Sequence, residues 1–301
     1  MTQQKLFSKN KLKKYIHILF ELTKIRITIF VMVTTVLGYI CAAGELNMGV
    51  ILPAIGLLLV ACGSAVINHY QERKTDALMD RTKNRPIPSG RISATNALYL
   101  ALILVTIGFI TLTLTGGMLA GALSLLNLFW YNGIYTPLKK KNPLAIIPGS
   151  MVGAIPPAVG WVSAGGSLLN PQILIISFFF FIWQIPHFWL LLTVLGNDYE
   201  KAGFPTFSKL FSKEQFSRII FMWIAATVVT AFMIPFFGIV RNPVINFALL
   251  FAGIWLTVKA IKLLKPGTDK ISFRFAFRQI NIFAIIIVLL LSIDKMIIIY
   301  L

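Results

Sequence analysis

Residues 51–80 read ILPAIGLLLVACGSAVINHYQERKTDALMD, an uncharged apolar run that passes directly into a polar and charged segment. A helix rises about 1.5 Å per residue, so an apolar run of about 20 residues crosses roughly 30 Å of hydrocarbon. The stretch therefore predicts a transmembrane helix that carries polar side chains to one surface of the membrane.

Apolar runs of similar length recur along the whole chain. The nine runs lie at about 27–43, 50–69, 93–114, 117–136, 144–164, 172–195, 218–240, 243–263 and 279–300. Each is predicted to be helical, because backbone groups in lipid need partners within their own segment and no run alternates like a barrel strand. The sequence thus predicts an all-α polytopic membrane protein, with nine transmembrane helices in a single domain over residues 1–301.

The distribution of charge predicts the orientation of the chain. Its net charge is +18, yet only 13% of residues are charged, which is too few for the soluble basic surface of a nucleic-acid-binding protein. Of the 28 Lys and Arg residues, 26 lie in five alternating segments, namely the N-terminal segment, 70–92, 137–143, 196–218 and 259–278. The positive-inside rule then places the N-terminus in the cytoplasm. The Lys-rich start favours an uncleaved anchor in a bacterial cytoplasmic (inner) membrane over an organellar inner membrane.

Four polar residues recur at every fourth position where the second run ends: Asn68, Glu72, Asp76 and Asp80. At about 100° per residue they occupy a sector of about 120° on one helix. Like charges at this spacing repel unless a cation lies among them, and oxygen ligands of this kind suit Mg²⁺. The alternative is a solvated helix extension neutralised by neighbouring bases, namely Arg73, Lys74, Arg81 and Lys83.

Two segments near these acids point to a phosphate ligand. The segment RTKNRPIPSGRIS supplies Arg81, Arg85 and Arg91, whose guanidinium groups match phosphate oxygens. A second acidic segment, NDYEKAGFP at 197–205, follows the sixth run, with Asp198 at a point equivalent to Asp76. This hints at an internal four-helix repeat, about 27–136 and 144–263, whose two acidic loops share one cavity. Such loops could hold a diphosphate between metal ions.

Five blocks of sequence resemble a known family: NHYQERKTDALMDRTKNRP, YTPLKKKNP, GAIPPAVGW, WQIPHFW and DYEKAGFP. They are similar to the signatures of the protohaem IX farnesyltransferases, a branch of the intramembrane (UbiA) prenyltransferases, over about residues 23–205. The resemblance implies nine helices around a central cavity and Mg²⁺ dependence. It also implies transfer of a farnesyl group from farnesyl diphosphate to a vinyl group of haem B, with water addition, giving haem O.

The resemblance also assigns roles by position. It implies metal ligands at Asn68, Glu72, Asp76 and Asp198. It implies diphosphate binding by Tyr135 and Lys139, with Arg81 and Arg85 as helpers, and catalytic roles for Asp76, Asp198 and Lys139. The chain departs from the family pattern at three places. Ala202 occupies the place of a second Asp, so water or Glu200 completes that metal shell or the shell is thinner. The segment AGFPTFS replaces the usual AG-x-PMLP, and Ile25 stands where Pro is common.

The block WQIPHFW carries a histidine inside the sixth run. His187 lies about 12 Å into the membrane, where a polar group is costly and is usually functional. It is a candidate haem contact, together with Trp183, and its removal should weaken haem use without abolishing diphosphate binding. The alternative is that His187 satisfies a carbonyl freed by Pro186. Near the C-terminus, Asp294 and Lys295 could simply pair with each other, and we assign them no function.

Two other functions fit parts of the pattern. A prenyltransferase for a quinone-type or other ring acceptor would keep the diphosphate residues and differ around WQIPHFW. A secondary transporter could also have repeats, but it would place its ionisable groups near the bilayer midplane rather than at one surface. Expected partners are farnesyl diphosphate and haem B as substrates, the lipid bilayer, and a downstream haem-modifying enzyme or terminal oxidase assembly factors. No nucleic acid is expected.

Overall fold

The computed structural model describes residues 13–205, 210–265 and 270–297. Within these residues the chain is helical and contains no strand, which confirms the all-α prediction. A helical segment at 13–22 precedes eight long helices. These are α1 (Ile25–Ala43), α2 (Ile51–Asp76), α3 (Ala94–Phe129), α4 (Met151–Ser163), α5 (Pro171–Lys201), α6 (Lys213–Met233), α7 (Pro243–Ala260) and α8 (Lys270–Ile297).

The described residues form eight helical stretches long and apolar enough to span a membrane, one of which reverses direction. That stretch, Ala94–Leu138, is interrupted at Gly117, where φ is 83° and ψ is 166°. A Cβ atom added to Gly121 would lie 3.0 Å from the Phe109 ring, although twelve residues of straight helix cover about 18 Å. The chain therefore folds back at Gly117 into two arms that correspond to the runs at 93–114 and 117–136. The count of nine membrane crossings stays a prediction.

Helix starts follow local sequence signals. Three helices begin at an Asn-Pro pair, in which the Asn side chain accepts a hydrogen bond from a backbone N–H of the first turn: Pro143–Ala145, α5 and α7. Helix α6 begins with a capping box formed by Ser212 and Gln215. Asn at the cap and Pro in the first turn suit a helix start, since the caps satisfy free N–H groups and Pro lacks one.

The long helices pack in chain order, and α8 contacts α1, so the bundle closes on itself. Helices α1 and α4 approach closely because Gly160 faces the backbone of Thr35, where an added Cβ would lie 1.8 Å from the carbonyl oxygen. Small residues allow such contacts between membrane helices. The run at 144–164 is divided, with a short helix (Ile146–Gly149) before α4, while Pro156 and Pro157 lie buried within α4.

Two helix ends determine where the acidic residues lie. Helix α2 ends at Asp76, and α5 extends to Lys201, beyond the predicted limit of residue 195. Asp198 therefore lies in the last turn of a helix, and its placement in a loop was wrong. We call the end of the bundle where α2 and α5 finish the charged end, and the end where α7 begins and α8 finishes the opposite end.

Candidate functional site

The charged end is built on the last three turns of α2. The side chains of Asn68, Glu72 and Asp76 are buried, although two of them are acidic. Burying a carboxylate is costly unless it is paired and hydrogen-bonded. The spacing of four residues holds the three on one side of the helix, as predicted.

Each of these three side chains is bonded to a base from a different part of the chain. Lys24 Nζ lies 2.6 Å from Asn68 Oδ1, Lys139 Nζ lies 2.5 Å from Glu72 Oε1, and Arg85 Nη1 lies 2.8 Å from both carboxylate oxygens of Asp76. The spacing of the acids on α2 predicted that cations lie among them. Those cations are the ammonium groups of Lys24 and Lys139 and the guanidinium group of Arg85. We call these six residues the ion-pair cluster.

Asp80 does not belong to the cluster, so the prediction that it continues the stripe was wrong. The carbonyl oxygen of Asp76 accepts a hydrogen bond from the Thr82 hydroxyl at 2.8 Å, and the helix ends there. Asp80 is exposed and pairs with Lys201 at 2.5 Å and Lys83 at 3.0 Å. The hydrogen bonds from Lys201 and Lys83 lower the pKa of Asp80 from 3.8 to about 2.

The Asp80–Lys201 ion pair joins the segment after α2 to the end of α5, so the two acidic segments do meet at the charged end. Asp198 is half-buried. Its carboxylate makes no hydrogen bond or ion pair with any residue that the structure describes. Its role as a metal ligand stays a prediction.

Two of the predicted phosphate-binding arginines lie outside the ion-pair cluster. Arg81 is exposed and forms no ion pair within the described part of the chain. Arg91 bonds Glu21 at 2.8 Å and also the carbonyl oxygen of Asn84, so it fastens this segment to residues 13–22. Only Arg85 of the three reaches the acids of α2.

Between α3 and Lys139 the chain forms a π-helical turn, Trp130–Tyr135, and then a short α-helical segment, Thr136–Leu138. The wider winding of the π-helical turn brings Tyr131 and Tyr135 to one side, where their rings stack with centroids 5.8 Å apart. Lys139 Nζ lies 5.3 Å from the Tyr135 ring centroid, within the range of a cation–π contact. The predicted Tyr135–Lys139 pair is therefore brought together beside Glu72. Such π-turns are frequent at functional sites.

Polar side chains fasten this segment to α2, and apart from Asn68 the sequence did not single them out. Asn132 accepts a hydrogen bond from the Ser64 hydroxyl at 2.6 Å, and Gln71 Nε2 donates to the Asn132 carbonyl at 2.9 Å. Asn68 Nδ2 donates to the Thr136 hydroxyl at 3.1 Å. Their signal was present, since Ser64 and Asn132 are polar residues inside apolar runs, which are costly in lipid unless paired.

Lys24 is the most informative residue that sequence reasoning missed. It was counted only as one of the bases that set orientation. Among the described residues it is the only non-glycine with positive φ (50°, with ψ 45°), and it stands at the start of α1. The left-handed conformation costs about 1–2 kcal/mol for a residue with a Cβ, and such strain concentrates at functional sites. The strained backbone of Lys24 carries the side chain whose ammonium group is bonded to Asn68.

His187 and Trp183 lie one turn apart on α5 and are both bonded to α8. Trp183 Nε1 donates to the Ile280 carbonyl at 3.0 Å, and His187 Nδ1 lies 2.7 Å from Asn281 Oδ1. The partner of His187 Nδ1 is therefore the Asn281 side chain. The alternative in which this atom satisfies a carbonyl freed by Pro186 is wrong.

Aromatic rings connect this pair to the ion-pair cluster. From Tyr135 the centroids step 6.0 Å to Phe188, 5.3 Å to His187 and 4.7 Å to Trp183. We call these four rings the aromatic row. Its first member contacts Lys139, so the row runs from the charged end into the apolar interior of the bundle.

A family model described as the UbiA prenyltransferase family matches residues 31–283. The chain belongs to this family. A protoheme IX farnesyltransferase of Oleidesulfovibrio alaskensis is 32% identical over 278 residues, covering 92% of this chain and 96% of that protein. One of Christiangramia forsetii is 36% identical over 272 residues, covering 87% and 88%. Membership of an enzyme family identifies the chain as a prenyltransferase and decides against the transporter alternative.

Solved UbiA-family structures share this prenyltransferase's fold. A structure of digeranylgeranylglyceryl phosphate synthase matches with a TM-score of 0.76 at 17% identity, covering 95% of this chain and 99% of that one. A UbiA homolog from Archaeoglobus fulgidus bound to GPP and Mg²⁺ matches with a TM-score of 0.66 at 16% identity, covering 91% and 99%. At these identities the likeness establishes the fold.

The donor set at the charged end suits a metal ion shared with a diphosphate. Within the described residues no group of three or more His, Cys, Asp or Glu is placed to hold a metal by itself. Mg²⁺ commonly takes only one or two carboxylates from the protein and completes its shell with substrate phosphates and water. The carboxylates of Glu72 and Asp76, with the amide oxygen of Asn68, fit that smaller requirement.

Proposed function

We propose that this prenyltransferase transfers the farnesyl group of farnesyl diphosphate to a vinyl group of protohaem IX (haem B), with addition of water, giving haem O. The observation that carries the proposal is the aromatic row, which joins the diphosphate-type ion-pair cluster to a histidine inside the bundle. Relatives that cover most of the chain bear the name protoheme IX farnesyltransferase, and this supports the same acceptor.

The diphosphate binds in the ion-pair cluster by exchange of partners. Lys139 and Arg85 turn from Glu72 and Asp76 to the phosphate oxygens, and Tyr135 adds its hydroxyl. Lys24 leaves Asn68 for the same anion, and Arg81 approaches from the exposed segment. Lys139, Arg85 and Lys24 each exchange one oxygen partner for another, so none of the three loses its hydrogen-bond partner on binding the anion.

The oxygens of Asn68, Glu72 and Asp76 that this exchange releases would hold Mg²⁺, together with the carboxylate of Asp198 from α5. Mg²⁺ held by these oxygens would supply Lewis-acid chemistry, namely charge neutralisation at a diphosphate. On the α5 side, where Ala202 offers no carboxylate, water or Glu200 would complete the set of ligands.

The transfer itself is a carbon–carbon bond formation. The bond between farnesyl C1 and the diphosphate oxygen breaks, and the diphosphate leaves with both electrons while Lys139 and Arg85 stabilise its charge. The terminal vinyl carbon of haem bonds to C1. Water adds to the neighbouring carbon and loses a proton, which gives the hydroxyethylfarnesyl group. The rings of the aromatic row stabilise the allylic cation and exclude early water.

The acceptor lies at the far end of the aromatic row. Trp183 offers an aromatic face to the porphyrin, and His187 contacts the haem. We propose that the N-terminus and the charged end face the cytoplasm of a bacterium, with the protein in the cytoplasmic membrane. The 26 bases on one side of the predicted topology support this orientation.

The test is product formation by the purified chain in lipid nanodiscs with haem B, farnesyl diphosphate and Mg²⁺. We expect the mass of haem O with the wild type, no detectable product with Asp76→Ala, and wild-type amounts with Asp80→Ala. Asp80 is the matched control because it is an acid four residues away that lies outside the cluster. A prenylated product only with a quinone-type ring would show the alternative acceptor, and full activity of Asp76→Ala would contradict the proposal.

A further inference from the structure

Asn281 is a polar side chain of helix α8 that the proposed chemistry does not use. It is half-buried in the apolar part of the helix and makes two short hydrogen-bond contacts. Its Nδ2 lies 2.6 Å from the Phe277 carbonyl oxygen, and its Oδ1 lies 2.7 Å from His187 Nδ1. These two contacts together determine where the proton of the His187 ring lies.

The chemistry of the carbonyl removes the ambiguity of the amide. A carbonyl oxygen only accepts hydrogen bonds, so the group of Asn281 that faces Phe277 must be the NH₂ group. The amide oxygen therefore faces His187, and it too only accepts. His187 Nδ1 must then donate an N–H. Because a neutral imidazole carries one N–H, the lone pair is on Nε2.

The orientation of the imidazole ring is fixed on several sides. The His187 ring lies among aromatic neighbours, with centroid distances of 4.7 Å to Trp183, 5.1 Å to Phe277 and 5.3 Å to Phe188. Trp183 is itself held by its bond to the Ile280 carbonyl. Nε2 has no hydrogen-bond partner among the residues that the structure describes. An oriented lone pair on a half-buried ring is thus left available to a ligand.

We infer that Asn281 is a positioning residue that keeps His187 as the Nδ1–H tautomer and presents Nε2 as an electron-pair donor to the iron of the haem acceptor. This inference rests on the proposed function. Histidines that bind metals usually donate their other N–H to a carbonyl or carboxylate, which orients the ring and raises its basicity. Asn281 supplies such an acceptor from a different helix.

The first test measures the tautomer directly and needs no haem. The chain has only three histidines, so ¹⁵N-histidine labelling gives a simple spectrum, and His187→Gln assigns the His187 signals. We expect a protonated Nδ1 and an unprotonated Nε2 in the wild type. Asn281→Leu should give a mixture of tautomers, and Asn281→Asp, which keeps an acceptor, should restore the wild-type pattern. An Nε2–H tautomer in the wild type would overturn the inference.

The second test is optical titration of the wild type and of further variants with haem B. The wild type should give the absorption bands of histidine-ligated haem, and His187→Ala should lose them. Asn281→Leu should bind haem about tenfold more weakly with altered bands, since partners of this kind change metal affinity by about 10- to 100-fold. Asn281→Asp should recover most of the affinity. Asn246→Leu, an Asn on α7 without contact to His187, is the matched control and should match the wild type.

The outcomes separate this inference from the proposed function. Unchanged haem affinity and bands in Asn281→Leu would overturn the role of Asn281, even while the wild type still makes haem O. Absence of haem binding and of haem O in the wild type would instead overturn the proposed acceptor and, with it, the assignment of iron as the ligand of Nε2. Binding of a farnesyl diphosphate analogue should be the same in all five variants, which confirms that each is folded.

Discussion

The two ends of the bundle bury acids in different ways. At the charged end, Glu72 and Asp76 are held by the flexible ends of Lys139 and Arg85. At the opposite end, Asp294 is also fully buried, but its carboxylate accepts hydrogen bonds from backbone N–H groups, those of Arg241 at 3.2 Å and Asn242 at 3.0 Å.

Lys295, next to Asp294, is also buried at the opposite end. It donates to the Ile239 carbonyl and lies 3.7 Å from Asp294, so the expected pairing of these two residues is present but is the longer of the contacts. Backbone partners cannot turn away without local unfolding, whereas lysine and arginine side chains can. Acids with side-chain partners can therefore exchange them for a ligand, and the acid with backbone partners fastens α8 to the start of α7.

The largest effect should come from Asp76→Ala at the charged end. This substitution removes a proposed metal ligand and leaves Arg85 without its carboxylate. We expect kcat/KM for haem O formation to fall by at least about 10²-fold, the loss typical of removing one charge-stabilising group. The matched measurement on Asp80→Ala should stay within about twofold of the wild type. Equal losses in both variants would remove the distinction between the cluster and the exposed acid.

Asp294→Ala should greatly reduce the stability of the fold, whereas Asp76→Ala reduces activity. The substitution of Asp294 leaves Lys295 buried without its carboxylate and frees two backbone N–H groups, which should reduce the free energy of unfolding by about 3 kcal/mol. The specific activity of the folded protein should be unchanged. Thermal unfolding in detergent, followed by activity at low temperature, measures both quantities. Asp294→Asn keeps one acceptor oxygen and should recover part of the stability. Loss of activity without loss of stability would contradict a structural role.

Substitutions of Lys24 separate its charge from its backbone conformation. Both Lys24→Ala and Lys24→Gly remove the ammonium group, so both should raise KM for farnesyl diphosphate about tenfold, in line with the loss of a charged hydrogen bond. Only glycine relieves the left-handed conformation, and it should be about 1 kcal/mol more stable than alanine. Steady-state kinetics and thermal unfolding distinguish the two effects. A wild-type KM in either variant would exclude Lys24 from diphosphate binding.

The exposed Asp80–Lys201 ion pair should give the smallest effect. The pKa of Asp80 is lowered from 3.8 to about 2, so whatever stability it supplies is present above about pH 4 and is lost as the pH falls through about 2. Between pH 5 and 8 its charge does not change. Activity profiles of the wild type and Asp80→Ala over that range should therefore superimpose. If the pH profile of Asp80→Ala differed in shape from that of the wild type, the Asp80–Lys201 ion pair would influence the reaction.

The spacing of four residues predicted that the acids of α2 lie on one side of the helix. The same spacing gave a wrong prediction for Asp80, because the helix ends at Asp76. Asn68, Glu72 and Asp76 lie together as expected. Asp80 does not, because the Thr82 hydroxyl takes the Asp76 carbonyl oxygen that a continuing helix would have offered to the Asp80 N–H. Hydropathy likewise predicted the helical runs, including the break at Gly117 between the runs at 93–114 and 117–136, but it did not predict the division of the run at 144–164 near Ser150.

Contacts between distant segments could not be read from the chain. Lys24 reaches Asn68 across 44 positions, and His187 reaches Asn281 across 94. A single Lys at the start of an apolar run looks the same whether it marks orientation or binds a ligand, and its backbone conformation is invisible in the sequence. Tertiary packing decides which bases approach the acids, so Arg85 could not be separated from Arg81 beforehand.

The central claim is that the acids at the charged end exchange flexible basic partners for a metal and a diphosphate. Electron paramagnetic resonance of Mn²⁺, used in place of Mg²⁺, tests it directly in the purified full chain. We expect tight Mn²⁺ binding by the wild type and by Asp294→Ala only when a non-hydrolysable farnesyl diphosphate analogue is present, and none by Asp76→Ala. Tight binding to Asp76→Ala, or equal binding by the wild type with and without the analogue, would contradict the claim.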